Sequence, residues 1–355
     1  MKKLTCIILT ICILASSLLL TACSVVEENT TGITITDMGG DTVTLPAKIE
    51  RVVSTSDPCT DMLVAFGAGD RLIGAYFRAL DNPWFQTFYP NAENLISFDS
   101  YEPEVEALIA NETDVIFVPS RERAVALREK GVCAITIRYY TPDEVLYAAN
   151  MLGEIFGGET KSKSEAWIRD FNETIATFDA KIADIPESER PVAYEILADK
   201  GRGPFRTYYG DNQAWLAYAG GILATKDYGD ATSSAMPTEE AILATDPDII
   251  FIGGTYATKE YGDLLNNKDW QYISAVKNDK IYIEPTGATA WNSCSTTYPM
   301  LVYYCFSCMY PDRVDFDLKQ IAHDFYLKYY GIDFSADQID LMFQSKAPDA
   351  TEVWD

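Results

Sequence analysis

Two stretches of this chain, far apart in sequence, follow one template. Pro103-Glu104-Val105-Glu106-Ala107-Leu108-Ile109-Ala110 runs into Asp114-Val115-Ile116-Phe117-Val118, and Pro237-Thr238-Glu239-Glu240-Ala241-Ile242-Leu243-Ala244 runs into Asp248-Ile249-Ile250-Phe251-Ile252 at the same spacing. Helix-to-strand passages share an apolar period in many proteins, but here a Pro and a Glu outside that period coincide as well. The repeat therefore predicts two similar α/β lobes, each a parallel sheet covered by helices.

The surrounding sequence has the same grammar. A hairpin, ITITDMGGDTVTLP, turns at Gly-Gly, and the apolar runs RVVS, LIGAY, LISF, DVIFVPS and AITIR then read as strands, with helices from about Glu104 and about Glu122. Between the lobes lie residues 142–185, where Trp167, Ile168, Phe171, Ile175, Phe178 and Ile182 recur at spacings of three and four. That period predicts one amphipathic helix of roughly 20 residues, some 30 Å long, enough to reach from one lobe to the other. Pro186 and Pro191 end it. The chain divides accordingly into an N-terminal α/β lobe over 33–160, a connecting helix over 161–186 and a C-terminal α/β lobe over 187–355.

The first residues read as an export address. Lys2 and Lys3 precede an apolar run from Ile7 to Leu20 that closes on Leu20-Thr21-Ala22-Cys23. This run is shorter than the ~20 residues a spanning helix needs. Residues 1–22 are expected to be a lipoprotein signal peptide, Cys23 the lipid attachment site that ties an extracytoplasmic protein to the membrane, and 23–32 a polar tether.

A formal net charge of −25 with no basic stripe argues against nucleic acid as a partner. Five cysteines follow Cys23, an odd number that excludes a complete disulfide framework. Cys305 and Cys308 have C-x-x-C spacing, but they lie in the apolar run YPMLVYYCFSCMY with no second pair and no His beside them, and read as buried thiols.

In open α/β sheets a ligand sits beyond the carboxyl ends of the strands. Arg78 follows LIGAYF, Arg121 and Arg123 follow DVIFVPS, and Arg138, Tyr139 and Tyr140 follow AITI. The loop ADKGRGPFRTYYGDNQ after VAYEILA carries Lys200, Arg202, Arg206 and Tyr208; Tyr256 follows IIFIGG, and Trp291 follows KIYIEPTGATA. Arginine forks match carboxylate, hydroxamate or oxyanion oxygens, and phenol and indole rings supply flat walls with a polar edge. The same arginines also balance an acidic chain, and taken singly each reads as well that way. As a set, Arg78, Arg138, Tyr139, Arg202, Arg206, Tyr208, Tyr256 and Trp291 are expected to bind an anionic ligand in an interlobe cleft.

Catalysis lacks parts. His323 is the only histidine and lies in QIAHDFYLKYY, an amphipathic pattern near the C-terminus. No H-E-x-x-H or G-x-S-x-G is present, so no catalytic residue, no resident cofactor and no metal-ligand set is assigned.

The segments ITDMGGDTVTLPAKIERVVS, LVAFGAGDRLIGAY, PEVEALIANETDVIFV, AYAGGILA, PTEEAILATDPDIIFIGG and YPDRVDFDLKQIAHDFYLKYYGIDFSADQID, in that order, resemble the iron-siderophore, haem and vitamin B12 class of periplasmic substrate-binding proteins of ABC importers. The resemblance covers nearly the whole chain after Cys23. It implies two Rossmann-like lobes with parallel sheets joined by a single long helix, a ferric chelate or related metal complex in the cleft, and limited hinge motion. It also implies an ABC permease as partner, docked by one surface glutamate per lobe; by motif position these are Glu106 and Glu240. The chain departs from the pattern at Thr113, where a Pro is usual. An oxyanion such as molybdate in the same fold, and an extracellular enzyme or adhesin on the same scaffold, are the other readings.

Overall fold

The computed structural model describes residues 31–98, 103–198, 205–207, 213–227, 237–254 and 256–353. The chain opens on an antiparallel hairpin, β1 (Thr31–Thr36) with β2 (Thr42–Pro46). A five-stranded parallel sheet follows in the order β5-β4-β3-β6-β7, built from β3 (Val52–Ser54), β4 (Leu72–Tyr76), β5 (Ile96–Phe98), β6 (Val115–Val118) and β7 (Ala134–Thr136). The second lobe holds a four-stranded parallel sheet in the order β11-β10-β8-β9, from β8 (Val192–Leu197), β9 (Ile222–Leu223), β10 (Ile249–Gly253) and β11 (Ile281–Ile283). Every residue of β6 and of β10 is buried. A parallel strand covered on both faces must be apolar throughout, which is why these two segments show no alternation.

The sequence repeat has a structural counterpart in both lobes. Its helices run Val105–Ala110 and Glu239–Thr245. The Asp that ends each unit accepts a backbone N–H at the start of the neighbouring strand: Asp114 Oδ2 takes the Arg51 N–H at 2.9 Å, and Asp248 Oδ2 takes the Val192 N–H at 2.8 Å. Each Asp thereby supplies an acceptor to an N–H that the sheet ladder does not reach.

The connection between lobes is a helix over Gly158–Ile182, preceded by a separate helix over Pro142–Phe156. It therefore starts three residues before the expected Lys161 and stops four before Pro186. The break falls at Gly157, whose φ of 61° is left-handed. Trp167, Phe171 and Phe178 on the long helix are buried, and they meet the second lobe through Tyr298, Tyr303 and Phe306 of the helix Tyr298–Met309. AITIR is shorter than expected as a strand, because the chain leaves the sheet after Thr136.

The C-terminal segment does not stay with the second lobe. Tyr326 and Tyr330 of the helix Leu318–Tyr330, together with Phe334, pack on Phe88 at centroid distances of 4.8–5.1 Å, and Trp84 donates its indole N–H to the Lys346 carbonyl. One apolar core consequently runs from Val52 and Met62 of the first lobe through Trp167 to Tyr298 and Met342. Two smaller clusters fill the outer faces of the sheets, one per lobe. Cys59, Cys133, Cys294, Cys305 and Cys308 are free thiols.

Candidate functional site

A cavity of about 290 Å³ lies between the lobes at the carboxyl ends of both sheets. The first lobe contributes Thr55 to Pro58 after β3, Arg78 after β4, Pro119 after β6, and Ile137 to Tyr140 after β7. The second contributes Glu195 and Leu197 from β8, Gly254 after β10, and Ala288 to Ala290 with Asn292 to Cys294 after β11, while Thr207, Gln213 and Trp215 close one side. Asn82 braces the junction: its amide donates to the Gly287 and Ala288 carbonyls, both at 2.9 Å.

The first-lobe wall is cationic. Arg78 and Arg138 are both half-buried there, and Arg138 Nε sits 3.1 Å from Glu144. The helix Asp57–Ala65 begins at the same wall, and its N-cap Ser56 makes no capping hydrogen bond with its own side chain. Its first turn therefore brings the positive end of a helix to the cavity beside the two guanidinium groups. Tyr139 is buried against Cys59, and burial together with that neighbour holds its pKa well above the usual 10. The Cys59 thiol behind it is pushed up to about 12 by burial. Trp215, also buried, has an indole N–H without a partner among the described residues. An unpartnered buried donor costs about 1–3 kcal/mol, a cost that an oxygen-rich ligand would remove.

On the second-lobe side one buried carboxylate, Glu195, lines the cavity, and Glu284 lies close to it. Glu195 and Glu284 are each 2% exposed, and Asn292 Nδ2 donates to Glu195 Oε1 at 2.9 Å. Burial, then the charge of Glu195, raises the pKa of Glu284 well above its ordinary 4.5.

Of the residues expected to bind ligand, Arg78, Arg138 and Tyr139 line the cavity together, with Tyr140 beside them. Trp291 does not reach it: the ring is fully buried, donates to the Tyr326 hydroxyl at 3.0 Å and packs edge-on against Phe343. Tyr256 stands at the start of the helix Ala257–Asn266 and packs on the second-lobe core; Gly254, two residues earlier, is the lining residue there. Arg206 is exposed, and its carbonyl accepts the Leu197 N–H at 2.8 Å. Arg121 pairs with Asp41 of the hairpin at 2.7 Å. Asp37 and Asp41 of the hairpin clasp Arg128. Lys200, Arg202, Tyr208 and Cys23 lie outside the described residues. Glu106 and Glu240 are exposed in the first turns of the two repeat helices.

Glu195, Asn292 and Trp215 escaped the sequence reading. One of them had a signal: Glu195 is a charged residue inside VAYEIL, a run otherwise fit for a central strand.

A family model described as "Periplasmic binding protein" matches residues 52–286. The molybdate-binding protein MolA of Haemophilus influenzae is 22% identical over 339 residues, covering 85% of this chain and 92% of that one. The uncharacterized ABC transporter substrate-binding lipoprotein YvrC of Bacillus subtilis is 22% identical over 259 residues, covering 70% of this chain and 77% of its own. Among solved structures, a periplasmic solute binding protein from Veillonella parvula superposes with a TM-score of 0.72 at 23% identity, over 88% of this chain and 97% of that one.

Proposed function

Because the chain belongs to the family of periplasmic binding proteins, a class of extracytoplasmic substrate-binding proteins that serve ABC permeases, we propose that its cargo is an anionic, oxygen-rich metal complex, a ferric chelate. The observation that carries the reading is the convergence of Arg78, Arg138 and Tyr139 on one interlobe cavity. Each buried charge-assisted hydrogen bond to such a ligand contributes about 1.5–3 kcal/mol. Losing one arginine should weaken binding by roughly one to two decades. Tryptophan fluorescence titration with ferric hydroxamate and catecholate chelates tests this, comparing Arg78→Ala and Arg138→Ala with a control at Arg169, exposed on the connecting helix. Arg206→Ala, with Arg202 and Tyr208 variants, asks whether the 198–213 loop adds to the site. Equal affinities throughout would remove the reading's support.

A second reading, an oxyanion such as molybdate, is favoured by the two guanidinium groups meeting a helix start at one wall and by the similarity to a molybdate-binding protein. The same titration with molybdate decides between them. Anchoring through a lipid on Cys23, and docking through Glu106 and Glu240, complete the proposal. YvrC, described as a lipoprotein, supports the first; the equivalent, exposed placement of the two glutamates on the two lobes supports the second.

A further inference from the structure

Beyond β7 the chain is held by side chains where a neighbouring strand would otherwise hold it. β7 is an edge strand that pairs with β6, and the Ile137 N–H extends that pairing by donating to the Val118 carbonyl at 2.9 Å. Alternate N–H groups of an edge point away from the sheet and need other acceptors. Thr136 donates to Asp37 Oδ2 at 3.0 Å, Arg138 to the Met38 sulfur at 3.2 Å, and Tyr140 to Glu144 Oε2 at 2.9 Å. The turn between β1 and β2 supplies the first two acceptors, and the first turn of the helix Pro142–Phe156 supplies the third. Glu144 does more than accept from the backbone. Its other oxygen, Oε1, meets Arg138 Nε at 3.1 Å, so one carboxylate holds the guanidinium of Arg138 and the main chain of Tyr140, two residues that line the cavity. Glu144 is itself fixed, because its N–H donates to the hydroxyl of the N-cap Thr141 at 3.2 Å, at a helix end that favours negative charge.

We infer that Glu144 is a positioning residue for ligand binding, which holds the Arg138 guanidinium in its place at the cavity before an anionic ligand arrives. The inference rests on the proposed reading of Arg138 as a ligand contact. The Arg138 side chain is 42% exposed, and an unheld arginine there would give up its rotamer freedom only on binding, at the expense of affinity. The contact with Glu144 restricts it in advance. Glu144 also offsets part of the arginine's charge, and the two effects have opposite signs. A carboxylate that only offset charge would weaken an anionic ligand, so removing it would tighten binding. One that orients the arginine strengthens the ligand's hold, so removing it loosens binding. Orientation prevails because Glu144 is tied at three points, to Thr141, Tyr140 and Arg138, whereas the charge of a solvent-facing pair is largely screened.

The test is a double-mutant cycle on the whole exported protein, with binding of a ferric tris-hydroxamate or of molybdate, whichever wild type takes, followed by tryptophan fluorescence. Glu144→Ala should weaken binding about three- to tenfold, and Arg138→Ala by roughly one to two decades. The double variant should bind no more weakly than Arg138→Ala alone, because Glu144 acts through the arginine. Glu144→Gln guards against a folding defect: it keeps an acceptor for the Tyr140 N–H but sets an uncharged amide against Arg138, and it should weaken binding as Glu144→Ala does. Glu144→Gln binding as tightly as wild type, or more tightly, overturns the inference while Arg138 stands as a ligand contact. The inference also falls if Glu144→Ala costs the same factor with and without Arg138, since a carboxylate that merely supported the loop would give that result. If Arg138→Ala binds like wild type, or wild type binds neither probe, the reading of the cavity falls and takes the inference with it.

Discussion

Thr296 holds Asp61 twice, its hydroxyl donating to Asp61 Oδ2 at 2.6 Å and its backbone N–H to the same oxygen at 3.1 Å. Tyr330 donates to the other oxygen. Asp61 is wholly buried on the helix that starts at the cavity, and Thr296 follows the loop that lines the opposite wall. Burial raises the pKa of Asp61 against the pull of these hydrogen bonds. Asp61→Ala should cost about 1–3 kcal/mol for each donor left without an acceptor, whereas Tyr330→Phe, which leaves Thr296 in place, should cost about 1 kcal/mol. Urea midpoints at constant m-value report both. A cost for Asp61→Ala no larger than for Tyr330→Phe would show that Thr296 finds other acceptors.

Glu284 makes stability depend on pH in a defined direction. Its folded-state pKa is raised, so its contribution is fully present below about 4.5, the unfolded value, and is lost as pH rises through the folded value. Glu284→Gln should remove this loss, so the variant should gain on wild type as pH increases and be the more stable of the two at neutral pH. Urea denaturation across that window measures the gap. A constant difference between the two proteins at all pH values would mean that Glu284 is not buried as an acid.

Docking should separate from binding. Glu106→Arg with Glu240→Arg should leave ligand affinity unchanged and abolish import, because exposed rim charges set orientation and encounter rather than the cavity. The readouts are fluorescence titration and uptake in a strain carrying the cognate permease. Weakened binding would place the two glutamates at the ligand instead.

On the proposed anchoring, Cys23→Ala should release the protein from the membrane fraction, since stable anchoring needs more than one acyl chain and a diacylated cysteine would supply two. Cell fractionation decides it, and a variant retained as well as wild type would assign the anchoring to another segment.

The architecture was legible because its signals are periodic and local. The two copies of the repeat stood out through residues beyond the apolar period, and the structure gives Asp114 and Asp248 one shared task. The wall made by Arg78, Arg138 and Tyr139 followed from a topological rule, that loops after parallel strands meet the ligand. That rule says which loops approach the cleft and not which side chains turn into it. Trp291 sits in such a loop, yet its indole N–H turns away from the cavity to the Tyr326 hydroxyl of the helix Leu318–Tyr330. Glu195 was missed for the opposite reason, because a lone charge in an apolar strand was read as part of the strand. The position of the C-terminal helices depends on aromatic contacts between residues more than 200 apart, such as Phe88 with Tyr326, which no local pattern encodes.

The aromatic seam between Phe88, Trp84 and the segment from Tyr326 to Phe334 has a consequence for biogenesis. The lobe synthesised first is roofed by residues synthesised last. Until that roof arrives, Trp84 lacks Phe334 and Phe88 lacks Tyr326, Tyr330 and Phe334, and a long stretch of chain must be ordered before these contacts are gained. A chain of this design completes its core only when its last residues are in place.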